Sequence, residues 1–419
     1  MYDEAISTSD PNGPAGDGRA TRLPLVIYIL AVGTFLMLTT EFVVAGILPD
    51  IAADVRVSIA RSGLLITVFA VGMMVGAPLM AMLTLRMPRR LTLMLALGVF
   101  ALGHVIVAVS SGFGVLLAAR FLTALATGAF WAVAAVVATR AAGHGVSSRA
   151  VGVVNAGGML ATVLGVPLGA LAGQVVGWRG TFWALAVLAV GAVPLIARHV
   201  PHNGHHQSVS IRSELTVLRS GRLWLALAAC AATTGGVLAA YSFIAPLLTD
   251  RTGISPSIVP LVLAGFGVGS LAGSLLGGRL GDTHPHATTI VAPAVTTLIL
   301  LAICVGSSAA LPTTILIVLL GLFGLGANPV LIALAVRLAD HAPTLGSSLS
   351  VAAFNVGTAV SSWLGALALG SSLGNVGPVA VGAAISALTL VPVVALALKH
   401  RGAAGEDTAP GPLVACVTS

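Results

Sequence analysis

The chain has 419 residues, of which 57% are hydrophobic and only 8% charged, and its mean hydropathy is +1.04. Soluble domains carry about 25% charged residues, so an ordinary water-facing surface is excluded and a polytopic membrane protein is expected. The net charge of +7 comes from arginines scattered singly between apolar runs, a pattern of membrane orientation rather than a nucleic-acid-binding patch.

Apolar runs long enough to cross a bilayer as helices fall near 24–48, 62–84, 91–110, 114–139, 150–173, 179–197, 222–248, 256–280, 287–306, 311–337, 348–370 and 376–398. Strands with open edges would leave backbone groups unpaired in lipid, so these runs are read as helices. The first run is too long for the apolar core of a signal peptide and is expected to stay as a span. The three cysteines, Cys230, Cys304 and Cys416, give neither a disulfide framework nor a metal spacing. The histidine run His199, His202, His205 and His206 reads as a solvated linker rather than a metal site. No cofactor is expected.

The longest polar interruption follows the sixth run. The expected organisation is therefore a disordered cytoplasmic N-tail (1–21), a six-helix bundle (22–197), a cytoplasmic link (198–221), a second six-helix bundle (222–400) and a disordered cytoplasmic C-tail (401–419). With the N-terminus inside, the outer loops hold only Arg56, Arg61, Arg179 and Arg251. The cytoplasmic segments hold fifteen lysines and arginines, which predicts that both termini are cytoplasmic. Shifting the chain by 197 positions brings the halves into register. Phe69, Gly72, Gly76 and Leu79 fall on Phe266, Gly269, Gly273 and Leu276, Pro49 falls on Pro246, and Arg140 falls on Arg337. Transporters are often built from such repeats, with the ligand site at mid-membrane between them. The glycine pairs Gly72/Gly76 and Gly269/Gly273 are expected at close helix contacts.

Four local patterns then resemble the major facilitator superfamily, over about residues 22–400. They are GGRLGD (277–282), RFLTALATG from Arg120, GVPLGALAG (165–173) and GWRGTFW (177–183). Within that superfamily the segments TTEFVVAGILPDIA and APLMAMLTLRMPRR, with the LGH of the third span, are similar to actinobacterial chloramphenicol exporters and arabinose-efflux-like permeases. The resemblance implies an all-α membrane protein with the major facilitator fold, twelve transmembrane helices in two pseudo-symmetric six-helix bundles. It also implies an inner-gate motif at 277–282, with Asp282 in the acidic position and able to pair with Arg337. In the first half Leu85 stands where that acid would be, so Arg140 lacks an equivalent partner and the gate is expected to be asymmetric. The antiporter pattern is also imperfect, because Ala170 replaces its second glycine.

With these spans, Glu41 and Arg120 are the acidic and basic residues deep in a helix, and their repeat mates are Leu238 and Ile317. Charge at the bilayer centre costs at least about 2.5 kcal/mol, and intramembrane acids are common proton relays. Against an interfacial placement, about 10 Å from the end of the first helix, Glu41 is read as a functional carboxylate. Arg120 is read both as a cap on backbone carbonyls and as site electrostatics. Arg120, Thr123, Thr127 and Trp131 share one side of a helix, which is expected to line a cavity. Tyr241, Asn328 and Asn355 are the corresponding candidates in the second half. The candidate sites are thus Glu41 and Arg120 for proton coupling, with Glu41, Thr127, Trp131, Tyr241, Asn328 and Asn355 for substrate, and Asp282, Arg337 and Arg140 for the gate. His104 lies on a peripheral helix and is read as a packing histidine.

No nucleotide-binding loop, metal cluster or nucleophilic triad is present, so the chain is not expected to be an enzyme. The leading expectation is a proton-coupled exporter of chloramphenicol or similar small, largely apolar drugs, acting as a monomer in a bacterial plasma membrane. The alternatives are an exporter of sugars or an endogenous metabolite, and a membrane receptor or scaffold without a transport cycle. The six-plus-six repeat and the buried acid argue against the last of these.

Overall fold

The computed structural model describes residues 23–83, 87–142, 147–201, 219–339 and 343–406. Positions Leu85 and Arg86, most of the expected cytoplasmic link and most of both tails lie outside the described residues. All twelve expected spans are helices. The first six are α1 (Leu25–Val55), α2 (Ile59–Met80), α3 (Arg89–Val109), α4 (Phe113–Ala142), α5 (Ala150–Val176) and α6 (Trp178–His199). The second six are α7 (Gly221–Tyr241), α8 (Pro256–Gly281), α9 (Pro285–Gly306), α10 (Ala310–Leu338), α11 (Ser348–Leu369) and α12 (Gly374–Leu398). The end of the molecule where α1 begins and α12 finishes is called proximal below, and the opposite end distal.

Boundaries differ from the sequence reading at both ends of the chain. The first helix continues past Pro49 and Asp50 to Val55, where Arg56 stops it in a left-handed conformation (φ 57°) with its N–H bonded to Ala52. Proline is tolerated inside a membrane helix because neighbours can satisfy the freed backbone groups, so Pro49 did not end it. Glu41 is therefore roughly 21 Å from the distal end of α1, close to its midpoint, rather than near an interface. At the other terminus the last helix runs on to Glu406, into the segment expected to be tail.

Several helices are interrupted, and prolines explain where. A proline ring clashes with the carbonyl four residues earlier and offers it no N–H. Four residues before Pro246 is Ser242, where the first stretch of α7 stops. A short turn (Ile244–Pro246) and a π-helical turn (Leu247–Arg251) follow. Four residues before Pro329 is Leu325, where α10 breaks between Gly324 and Asn328. Pro167 acts more gently, widening α5 into a π-helical turn over Ala161–Gly165.

The 197-residue offset reappears as contacts. A Cβ on Gly72 would meet the Phe121 carbonyl of α4, and one on Gly269 would meet the Val318 carbonyl of α10; Gly76 meets Leu125 as Gly273 meets Leu322. Each α8 glycine thus repeats an α2 contact, shifted by the same 197 positions on both partners. Small residues let these backbones approach where lipid supplies no hydrophobic drive. At Gly273 an added Cβ would lie 1.9 Å from the Leu322 carbonyl oxygen, and a backbone atom cannot swing aside. Gly273→Val is expected to destabilise the second bundle by about 1–3 kcal/mol, the usual cost of overpacking. Melting of the purified protein in detergent, followed by tryptophan fluorescence, should show the drop; Gly98→Ala, which meets nothing within 4 Å, should not.

The apolar cores show how the two bundles meet. At the distal end one buried cluster spans both bundles, joining Val43, Ile47 and Phe182 of the first to Tyr241, Leu263 and Phe266 of the second. At the proximal end each bundle keeps its own core, around Leu30, Phe100 and Phe130 in the first and around Leu227, Leu331 and Val393 in the second. Polar contacts between the bundles also lie distally: Thr67 and Ser362 share a hydrogen bond of 2.6 Å, and Gln174 Nε2 donates to the Pro256 carbonyl at 2.5 Å. Leu263 of α8 and Ala170 of α5 both lie against Gly46 of α1. The bundles share one core distally and keep separate cores proximally.

Candidate functional site

Glu41 opens onto a cleft where the two bundles face each other. The cleft is partly open at its mouth and is lined by Glu41, Phe42 and Phe69 of the first bundle and by Leu238, Tyr241 and Thr358 of the second. Leu238 is the repeat mate of Glu41, so the acid looks across the pseudo-symmetry axis at its own apolar counterpart. The walls are mostly apolar. Tyr241 stacks on Phe266 (ring centroids 4.4 Å apart) and meets Phe42 edge-on at 6.3 Å, which fixes one aromatic wall. The break in α7 begins at Ser242, which also lines the cleft.

Arg120 sits beside this cleft and is one of the largest fully buried side chains, 1% exposed. Its Nη1 donates to both the carbonyl and the hydroxyl oxygen of Thr40, each at 3.0 Å, and Nε donates to the Leu65 carbonyl at 3.4 Å. The guanidinium lies 4.2 Å from the Phe69 ring centre, a favourable cation–π position. Nη2 has no partner among the described residues. Arg120 and Glu41 attract each other electrostatically, but they do not form an ion pair. The arginine therefore does cap carbonyls of α1 and α2, as one of the two expectations held, while also supplying positive charge next to the acid.

The structure separates the other candidates. Tyr241 joins Glu41 in the cleft. Thr127 does not line it: the side chain is fully buried against Met37 of α1, and its hydroxyl donates to the Thr123 carbonyl one turn back. Helical spacing defined a face correctly, but that face meets α1 instead of a cavity. Trp131 is half-buried next to Gly158 of α5. Asn355 shares a face of α11 with Thr358 in the cleft, Ser362 bonded to Thr67, and Val351 packed on Phe69 and Met73, so it faces the first bundle. Its Nδ2 donates to the Val351 carbonyl at 2.9 Å, whereas its Oδ1 and that of Asn328 have no partner among the described residues. Arg140 and Arg337 are exposed at the proximal ends of α4 and α10. The side chain of Asp282 lies outside the described residues.

Sequence reading missed Thr40, and it read His104 as a packing histidine without finding its partner. His104 is 1% exposed and bonded through both ring nitrogens, to the Phe100 carbonyl and to Thr40 Oγ1, each at 2.7 Å. The TTEF segment placed Thr40 next to Glu41, but nothing local showed that α3 and α4 both converge on its hydroxyl.

The Major Facilitator Superfamily model matches residues 30–251 and 227–415. This chain belongs to the Major Facilitator Superfamily. It is a multi-pass membrane transporter for small molecules and not an enzyme. It is 35% identical over 373 residues to the chloramphenicol resistance protein of Streptomyces lividans, covering 88% of this chain and 95% of that protein. The inner membrane transport protein YdhP of Escherichia coli K12 is 34% identical over 371 residues, with the same coverage, and the putative transporter AraJ of the same strain is 30% identical over 347 residues, covering 82% of this chain and 88% of that one. Among solved structures, a bacterial homolog of the human lysosomal transporter Spinster, in an inward-facing and occupied conformation, superposes with a TM-score of 0.70 at 16% identity. That match covers 90% of this chain and 96% of the other and supports the shared fold.

Proposed function

We propose that this major facilitator transporter is a drug:proton antiporter that exports small, largely apolar drugs, with chloramphenicol or a related phenicol as the first substrate to test. The observation that carries the reading is the position of Glu41: a carboxylate at mid-helix, on the cleft between the bundles, facing apolar and aromatic walls with Arg120 near it. An acid buried at such cost has a use there, and proton relay is the common one. The likeness to a protein named for chloramphenicol resistance supports the substrate. An aromatic, mostly apolar cleft suits such a drug better than a sugar.

In this cycle the proximal end faces the cytosol of a bacterial cell, a placement the arginine distribution supports, and the described conformation is read as open inward. Drug enters from the cytosolic side and settles against Phe42 and Tyr241 while Glu41 is deprotonated. The unpartnered oxygens of Asn328 and Asn355 accept hydrogen bonds from the drug's hydroxyl or amide groups. After the bundles rock to open distally, an external proton neutralises Glu41 and the drug leaves. Return to the inward-open form delivers the proton to the cytosol. The protein acts as a monomer, because both halves of the site come from one chain.

Everted membrane vesicles test this directly. Acidifying the lumen should drive chloramphenicol into wild-type vesicles, and collapse of the gradient should release it. Absence of gradient-driven accumulation of any phenicol would remove this reading.

The inner gate is part of the same proposal. In the inward-closed state Asp282 pairs with Arg337 across the proximal ends of α8 and α10, while the repeat mate of Asp282 in the first half is Leu85. Asp282→Asn and Arg337→Ala should each slow transport while leaving insertion intact; unimpaired transport by both would exclude the pairing.

A further inference from the structure

His104 lies in α3, away from the cleft, yet it is tied to the centre of the molecule by a continuous hydrogen-bonded chain. Its ring is enclosed by Phe100, with centroids 4.0 Å apart, and by Phe182 at 5.7 Å. The contact of Nδ1 with the Phe100 carbonyl, at 2.7 Å, assigns one proton, because a carbonyl oxygen only accepts. Nδ1 therefore carries hydrogen. The contact of Nε2 is Thr40 Oγ1 at 2.7 Å, and that same oxygen receives Nη1–H from Arg120 at 3.0 Å. A threonine hydroxyl has one hydrogen to give, and an unprotonated Nε2 is placed to accept it. A proton on Nε2 as well would put a second positive charge one hydroxyl away from Arg120, and no carboxylate among the described residues touches the ring.

We infer that His104 is a positioning residue for proton coupling: as the neutral Nδ1–H tautomer it takes the Thr40 hydroxyl hydrogen at Nε2, which turns the Thr40 oxygen toward Arg120 and holds the guanidinium beside Glu41. The inference rests on the reading of Glu41 and Arg120 as the coupling pair. The bonds run in one direction, Arg120 to Thr40 to His104 to the Phe100 carbonyl, each donor meeting one acceptor. Without His104 the Thr40 hydroxyl can rotate to its own helix, as Thr34 and Thr39 do toward the carbonyls of Leu30 and Phe35. The arginine then loses a fixed anchor. His104 never meets the drug or the travelling proton; it acts through Thr40.

Three single variants and one double variant test this, with gradient-driven chloramphenicol accumulation in everted vesicles as the readout and expression matched. His104→Leu and Thr40→Val should each lower the initial rate of accumulation about tenfold, the effect of losing a hydrogen bond to a charged group. The double variant should be no worse than either single one, because both cut the same chain. His104→Gln, whose amide oxygen can take the place of Nε2, should recover to within about threefold of wild type. A purely structural histidine would give additive losses and no rescue by glutamine, and that result overturns the inference. So does wild-type accumulation in His104→Leu. Glu41→Gln is run alongside: if it keeps wild-type accumulation, the coupling reading itself fails, which is a different outcome. A substrate-free arm uses ¹⁵N-histidine solid-state NMR in liposomes at pH 7, assigning His104 by difference from His104→Gln. An Nδ1–H neutral imidazole is expected; an Nε2–H tautomer or an imidazolium overturns the inference even if no drug is moved.

Discussion

Glu41→Gln is expected to insert and fold normally yet sustain no drug gradient. Each tenfold concentration ratio corresponds to about 1.4 kcal/mol, which one proton crossing one pH unit supplies. For a neutral drug exchanged against one proton, wild-type vesicles should therefore hold roughly a tenfold gradient per pH unit. Glutamine has the shape of the protonated acid but cannot release a proton, so the variant is fixed in one of the two states the cycle alternates between. The accumulation ratio should fall to one. Glu41→Asp keeps the charge and withdraws it by one methylene along α1, so partial coupling is expected. The fold should not object to glutamine, since Glu41 opens on the cleft and forms no ion pair that its loss would break. Measuring lumenal chloramphenicol against an imposed pH step, with expression matched by immunoblot, gives the ratio directly. Wild-type ratios in Glu41→Gln would leave the carboxylate without the proposed role.

Gly267→Val should produce the second large effect, by a different route. A Cβ there would lie 2.2 Å from the Thr162 carbonyl oxygen and 2.7 Å from Val163 Cα, both backbone atoms of α5 at its π-helical turn. This contact joins the two bundles, unlike the Gly273 contact, which lies within one. The strain of about 1–3 kcal/mol for overpacking therefore falls mainly on the distally closed conformation, while each bundle keeps its own core. That is on the order of a 5- to 150-fold shift in the balance between conformations. One turn away, Leu263 would be drawn away from Gly46, loosening the distal seal further. A cysteine pair at Thr67 and Ser362, which share a hydrogen bond across the distal interface, reports the change in an otherwise cysteine-free chain. Cross-linking should be efficient with Gly267 and weak with valine, and transport should fall accordingly. Equal cross-linking in the two backgrounds would show that α5 and α8 do not set this equilibrium.

These two residues also show what the sequence could disclose. The spans were legible because apolar runs of twenty residues leave few alternatives in a bilayer, and the repeat because glycines at helix contacts must recur wherever the contact recurs. Glu41 was legible by its cost. Its depth was not, since Pro49 and Asp50 read as a helix end until neighbouring helices could satisfy the backbone around them. Thr127 shows a different limit: periodicity groups residues on a face without saying what that face meets. The chain from Arg120 through Thr40 to His104 involves three helices separated by 64 and 80 positions, and no local pattern encodes such a convergence. The glycine at 267 looked like any other small residue until α5 was seen pressed against it.

The interruptions in α7 and α10 have no counterpart in α1 and α4, which run unbroken through the positions that mate with them and carry the two buried charges. After an ancestral duplication, the halves thus diverged in kind: one holds the ionisable groups on stiff rods, and the other holds hinged segments carrying Tyr241, Ser242 and Asn328. On the proposed reading, substitutions that reshape the interrupted half alter which molecules fit without disturbing the groups proposed to couple to the proton gradient. Under that proposal, a transporter partitioned in this way acquires a new substrate in small steps, each intermediate still coupled. Selection for altered drug range should accordingly collect changes in α7, α10 and α11, and leave Glu41, Thr40, His104 and Arg120 alone.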